Sequence, residues 1–251
     1  MKKKLQDKLL ERYSRQIVLK DVGITGQKKI INSKVLVVGA GGLGCPIVDY
    51  LSRAGVGYIG IADYDKIHLS NIHRQSIFTT KDIGKFKVQV TKRKVNFINP
   101  FVEVKIFNKK IEEKNIKKII KKFDIVVDGS DNFKTKFLLN KYSLKYRKYL
   151  IVGAISKFDG HVFTFNFKKK KEPCLKCFYQ NEPAEEILNC EQEGILGPIA
   201  GIVGNIQASE VLKKILNIDT NNSGSLLIIN LLKLSFRKVF FKKKKDCICG
   251  K

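Results

Sequence analysis

Val35-Leu36-Val37-Val38-Gly39-Ala40-Gly41-Gly42-Leu43-Gly44 decides the fold of this chain. Four consecutive apolar residues suit a strand buried on both faces. The glycines after them read as a tight turn into a helix N-terminus, where backbone N–H groups and a positive dipole end can meet a phosphate. A glycine loop alone fits a nicotinamide or flavin dehydrogenase equally well, so what accompanies it carries the reading. In Ile61-Ala62-Asp63-Tyr64-Asp65, Asp63 follows the next strand at about the 20-residue distance where a carboxylate meets ribose hydroxyls. In Ser70-Asn71-Ile72-His73-Arg74-Gln75, Asn71 and Arg74 have no task in holding a dinucleotide and suit a triphosphate instead.

Further along, Gly84-Lys85-Phe86-Lys87-Val88 supplies a lysine at the start of a helix. Asp124-Ile125-Val126-Val127-Asp128-Gly129-Ser130-Asp131-Asn132 reads as another strand ending in carboxylates, where open α/β sheets bind ligands. The hydrophobic pattern predicts strands near 34–39, 58–63, 102–108, 124–128 and 149–156, with helices near 43–54, 85–97, 114–122 and 133–147 between them. Such alternation gives a Rossmann-like, doubly wound and mostly parallel α/β sheet with right-handed crossovers. Apolar residues at helical spacing (Leu5, Leu9, Leu10, Tyr13, Ile17) predict one helix over 4–20, ahead of the sheet.

After Gly160 the pattern changes. Residues 161–167 alternate like a strand, 178–197 have no convincing period and read as a mobile loop, and 226–230 and 235–241 close the sheet as antiparallel strands. A helix over 199–216 carries small residues (Ala200, Gly201, Gly204, Ala208), which suggests close packing, with a subunit interface as one setting for it. We expect a single domain over 1–251: a helical segment over 1–33, a nucleotide-binding core over 34–167, and a crossover loop, cysteines and closing strands over 168–251.

The chain has 251 residues, enough for one substantial α/β domain. No run of about 18 apolar residues exists, and Met1-Lys2-Lys3-Lys4 leads into a polar amphipathic helix rather than a signal peptide, so a soluble cytoplasmic protein without membrane contact is expected. Six cysteines, four of them in close pairs, fit metal ligation in a reducing compartment better than a disulfide framework. The net charge of +26 raises nucleic-acid binding as a candidate, but only seven of the 49 basic residues are arginine. The lysine runs at 168–171 and 242–245 lack interleaved aromatics, so an acidic protein partner is the expected use of the charge.

Taken together with Arg12-Tyr13-Ser14-Arg15-Gln16-Ile17, these motifs resemble the ubiquitin-activating-type adenylyltransferases, and within them the HesA/MoeB/ThiF group that activates small sulfur-carrier proteins. The resemblance spans nearly the whole chain. It implies ATP-dependent adenylation of the C-terminal glycine of a ubiquitin-like sulfur carrier of MoaD/ThiS type, in preparation for a thiocarboxylate in molybdopterin or thiamine biosynthesis. Adenylation needs little proton chemistry, because a carboxyl terminus is already ionised at pH 7. Its difficulty lies in bringing two anions together, which calls for cations and a metal acting by placed charge.

By this resemblance Arg74 and Lys87 clamp the triphosphate and Asp131 holds Mg²⁺. Backbone groups at Gly41 and Gly42 approach the phosphates, Asp63 holds the ribose, and Asn71, Gln75 and Asn132 add neutral contacts. Arg15 would cross a two-fold interface into a partner's ATP site, making the protein a homodimer. Cys190 occupies the position where some relatives link covalently to the carrier, although its carboxylate neighbours disfavour a reactive thiolate. Cys174, Cys177, Cys247 and Cys249 resemble a structural tetrathiolate zinc site. The second pair departs from the family's Cys-x-x-Cys spacing and places Cys247 one residue late. No rhodanese-like extension follows Cys249-Gly250-Lys251, so a separate sulfur donor is expected.

Three other readings compete. A tRNA-modifying cyclase of the same superfamily would account for the positive charge, but the four-cysteine pattern argues against it. A nicotinamide-dependent oxidoreductase would use the glycine loop and leave Arg74, Lys87 and Asp131 unexplained. A nucleic-acid-binding module would rest on charge alone.

Overall fold

The computed structural model describes residues 7–169, 171–179, 194–218, 223–247 and 249. The strand β1 (Lys34–Val38) is buried along all but its first residue, because the sheet is covered on both faces. Val35 and Val37 join one apolar cluster, while Leu36 and Val38 join the other. This alternation places β1 at the centre. The strands β2 (Tyr58–Ala62) and β3 (Glu103–Phe107) lie to one side of it, and β4 (Ile125–Asp128) and β5 (Tyr149–Ser156) to the other. All five run parallel. The strands β6 (Asp159–Asn166), β7 (Ser225–Asn230) and β8 (Ser235–Phe240) continue the sheet antiparallel, giving the order β3-β2-β1-β4-β5-β6-β7-β8. The direction of winding reverses between β1 and β4, which opens a crevice at their carboxyl ends.

Short helices precede the sheet: α1 (Asp7–Arg12), α2 (Ser14–Ile17) and α3 (Gly23–Ile31). The single helix expected over 4–20 is therefore corrected in its described part: it breaks at Tyr13, and α3 is an addition. Tyr13 is withdrawn into the core, where its hydroxyl accepts a hydrogen bond from Asn99 Nδ2 at 2.8 Å.

The helices α4 (Gly44–Ala54) and α5 (Lys87–Ile98) cover one face of the sheet, and α6 (Glu113–Ile120) and α7 (Phe133–Lys145) the other. After the short α8 (Leu175–Phe178), the 20-residue α9 (Gly197–Leu216) packs across α4, β5 and β6. Two of its small residues make contacts within the chain: a Cβ on Gly204 would collide with Pro46 and the carbonyl of Leu43, and Ala200 sits against Gly42, whereas a Cβ on Gly201 would meet nothing within 4 Å. Pro198 lies in the first turn of α9, where its missing N–H leaves no intrahelical bond unmade. Among the described residues no helix is long and apolar enough to cross a membrane.

Candidate nucleotide site and thiol cluster

The turn after β1 owes its shape to two bare positions. Gly39 adopts φ +91°, and a Cβ there would stand 2.5 Å from the carbonyl of Gly129 in the loop after β4. At Gly44 a Cβ would run into Gly39's own carbonyl oxygen. Without side chains at either position, the N-terminus of α4 folds down against the β1 and β4 ends.

Asp63 holds this turn from the other side. Its Oδ2 accepts the amide of Ala40 at 2.7 Å and its Oδ1 the amide of Asp65 at 2.8 Å. Burial raises its pKa above the usual carboxylate value, against the opposing pull of Lys87 and the two amides. The sequence points to Asp63 only as a ribose contact; its bracing of the glycine turn emerges from the fold.

A cleft of about 320 Å³ opens at these strand ends. Gly41, Gly42, Asp63, Asn71, Arg74, Gln75, Lys87, Asp131 and Asn132 all line it, so every residue expected to bind nucleotide lies on one wall or another. Lys87 opens α5, and its Nζ meets Asp65 Oδ2 at 3.0 Å. Arg74 follows the 3-10 turn Leu69–Asn71, donating from Nη1 to the carbonyl of Ser70 at 3.0 Å. Asn71 Oδ1 accepts the amide of His68, so this residue also caps the turn.

Asn132 is the N-cap of α7, accepting the amide of Thr135 at 2.8 Å, while the adjoining Asp131 is exposed at the cleft. Gln75 is buried, and its Oε1 has no hydrogen-bond partner among the described residues. A buried acceptor left without a donor is costly, and a ligand hydroxyl or amine in this cleft would supply one.

The cleft also takes in Tyr64, Lys109, Lys110, Ile111, Ser130 and Lys136, which sequence reasoning misses. Lys136 has a signal: it falls among Phe133, Phe137 and Asn140 on the buried face of α7, where a lysine is out of character. Lys109 and Lys110 give none, since they sit in a lysine-rich chain. Arg15 is exposed on α2 and does not line the cleft of its own chain. Cys190 lies outside the described residues, together with most of the expected loop over 178–197.

A second cluster lies on the α7 face. Cys174, Cys177, Cys247 and Cys249 are all buried, and their sulfur atoms lie within 4.8 Å of one another. Cys174 Sγ is 3.4 Å from Cys247 Sγ, and Cys177 Sγ is 3.3 Å from Cys249 Sγ. The shorter spacing of the second pair therefore does not keep Cys247 out. The amide of Lys244 points at Cys177 Sγ from 3.4 Å, and Asn140 accepts the amide of Leu175 between the first two thiols. Burial, with the neighbouring thiols, raises the Cys174 pKa above the usual thiol value. Four convergent sulfurs with amide support fit a tetrahedral soft-metal ion.

A doubly wound sheet whose switch-point crevice combines a glycine turn, a braced acidic residue, lysines and an arginine defines a nucleotide-binding enzyme. Residues 13–250 match the ThiF family. The chain belongs to that family and is an adenylyltransferase of the MoeB/ThiF type. The sulfur carrier protein adenylyltransferase of Thermus thermophilus is 37% identical over 246 residues, covering 96% of this chain and 91% of that protein. The adenylyltransferase and sulfurtransferase MOCS3 of Culex quinquefasciatus is 40% identical over 247 residues. There the match takes in 98% of this chain and only 56% of the relative. The probable molybdopterin-synthase adenylyltransferase of Gracilaria tenuistipitata var. liui is 38% identical, with 91% of this chain and 64% of the relative covered. The fold is shared with E. coli MccB, whose crystal structure with ATP superposes at a TM-score of 0.82 over 95% of this chain and 74% of that one, at 22% identity. These matches remove the nicotinamide oxidoreductase reading.

Proposed function

We propose that the chain, acting as one domain, adenylates the C-terminal glycine of a ubiquitin-like sulfur-carrier protein, as a step toward a thiocarboxylate in molybdopterin or thiamine biosynthesis. The observation that carries this reading is the convergence of Asp63, Asn71, Arg74, Gln75, Lys87 and Asp131 on one cleft beside the glycine turn. The carrier carboxylate oxygen attacks the α-phosphorus of ATP; the bond to the β-phosphate oxygen breaks, and pyrophosphate leaves with the electron pair. Arg74 and Lys87 hold the triphosphate against its own charge, and the amides near Gly41 and Gly42 bind its oxygens. Asp131 would hold Mg²⁺, which neutralises phosphate charge when bound; a single exposed carboxylate that leaves the remaining positions to phosphate and water suits that ion.

Arg15 completes the site of a second copy across a two-fold axis, making a homodimer. Its exposure on α2, outside its own cleft, supports this role. The four thiols would hold a structural Zn²⁺ that ties the C-terminal segment to the α7 face. Cys190 is a candidate for a covalent link to the carrier after activation, and sulfur comes from a separate donor. Buried free thiols suit a cytoplasmic setting. The thiol cluster favours this reading over a tRNA-modifying cyclase.

The test is ATP–pyrophosphate exchange with candidate carriers ending in glycine. Exchange should require both carrier and Mg²⁺, and Asp131→Ala should abolish it. Full exchange by Asp131→Ala, or exchange without any carrier, would overturn the assignment.

A further inference from the structure

Lys136 is the largest charged side chain enclosed among the described residues, with 1% of its surface exposed, and nothing in the adenylation chemistry calls for it directly. Its ammonium has three N–H groups, and the fold offers each one an acceptor. Nζ lies 2.6 Å from the carbonyl of Ser130, 2.6 Å from the carbonyl of Gly153 and 3.4 Å from Asp128 Oδ2. Asp128 is itself fully buried, and its Oδ1 accepts both the amide and the hydroxyl of Ser130. One ammonium thus bolts the loop after β4 to β5 at the residue just beyond the last β4–β5 pair.

The two segments it joins both border the cleft. Ser130 directly precedes Asp131, and Gly153 directly precedes Ala154 and Ile155, all of which line the cleft except Gly153 itself. A space-filling apolar residue would keep α7 packed, but it could not hold both carbonyls. Leaving either carbonyl without a donor in a buried setting would favour movement of the loop. We infer that Lys136 is a positioning residue that fixes the Asp131 loop against the Gly153–Ile155 wall and so sets where the metal-bound phosphates meet the attacking carboxylate. The inference rests on the adenylation reading for its catalytic consequence, while the loop-fixing itself is independent of it.

Replacing Lys136 alone by an apolar residue would strand the Asp128 carboxylate, and Asp128→Asn alone would strand the Lys136 ammonium, so the informative comparison is between Lys136→Arg and Asp128→Asn with Lys136→Met. The arginine of the single variant keeps the charge and offers donors to both carbonyls. The double variant removes both charges together, keeps an Oδ1 for Ser130 and loses the bonds to the carbonyls of Ser130 and Gly153. Amide hydrogen exchange on the protein without nucleotide should rise at residues 129–132 in the double variant and stay near wild type in the single one. In pyrophosphate exchange, kcat of the double variant should fall about a hundredfold below that of the single variant, the order that a misplacement of about 1 Å costs, with KM for ATP moving far less. Equal exchange protection and equal kcat in the two variants would overturn the inference. So would faster hydrogen exchange spread across α7 and the sheet with a matching fall in Tm, because that marks a residue serving stability alone. If the wild type itself showed no pyrophosphate exchange, the adenylation reading would fail, and the hydrogen-exchange arm would still decide whether Lys136 fixes the loop.

Discussion

Lys87 Nζ and Asp65 Oδ2 stand 3.0 Å apart inside the nucleotide cleft, the lysine side chain almost fully buried and the carboxylate open to solvent on one side. The cation proposed to receive phosphate is thus already neutralised by a carboxylate that can turn to water when phosphate arrives. Binding then exchanges one ionic partner for another, and Lys87 never faces a dry interior uncompensated.

Lys87→Met should keep the fold, since the methionine occupies the buried stem and leaves Asp65 hydrated. Affinity for a non-hydrolysable ATP analogue, measured by calorimetry, should fall roughly tenfold or more, the scale of a lost charge-assisted hydrogen bond. Unchanged affinity would remove Lys87 from the phosphate clamp.

Arg15→Ala and Asp131→Ala should each be inactive, and mixing them should restore activity. Random exchange makes about half of the dimers mixed, and each mixed dimer has one site of two without a lesion, so roughly a quarter of wild-type exchange should return. If Arg15 is a mere surface charge, Arg15→Ala will be nearly normal from the start. An inactive Arg15→Ala that stays inactive after confirmed subunit exchange would place the arginine in its own chain's site.

Metal analysis should find about one zinc per chain, the stoichiometry of a four-thiolate site. Cys174→Ser should release it and lower Tm, because the cluster joins Cys247 and Cys249 to the turn at Cys174–Cys177. A protein prepared with zinc that is metal-free and fully stable would refute the metal staple.

Cys190→Ser should retain most pyrophosphate exchange, because a covalent link can form only once the acyl-adenylate exists. Retained adenylation with lost sulfur transfer would support that link. Loss of pyrophosphate exchange itself would show that the residue acts earlier.

The parallel half of the sheet could be read directly from the chain, because a strand buried on both faces must be apolar along its length and its glycine turn must be bare. The expected strands at 34–39, 58–63 and 124–128 lie within a residue or so of β1, β2 and β4. Part of the cleft lining was legible for the same reason: Asp63 comes just past β2, Asp131 and Asn132 just past β4, and Lys87 at the start of α5, so topology alone brings them to the crevice. The N-terminal segment was not legible in this way. Its helical spacing is real, and Leu9 and Tyr13 are both buried, but the anchoring of Tyr13 by Asn99, 86 residues away, cannot be read from local pattern.

By itself, then, the sequence determined the order of strands and helices in the parallel half of the sheet, the position of the crevice and part of its lining, since these follow from local pattern and from the handedness of parallel crossovers. Only the tertiary structure decided which of those residues hold one another. Asp63 bracing Ala40, Lys87 meeting Asp65, and Lys136 joining Ser130 to Gly153 each depend on an atom contributed from a separate turn of the fold. The convergence of Cys247 with Cys174 across 73 positions is of the same kind. Spacing along a chain limits what can meet, but hydrogen bonds and sulfur contacts form over a few ångströms, and that distance is set only when the sheet has brought its loops together.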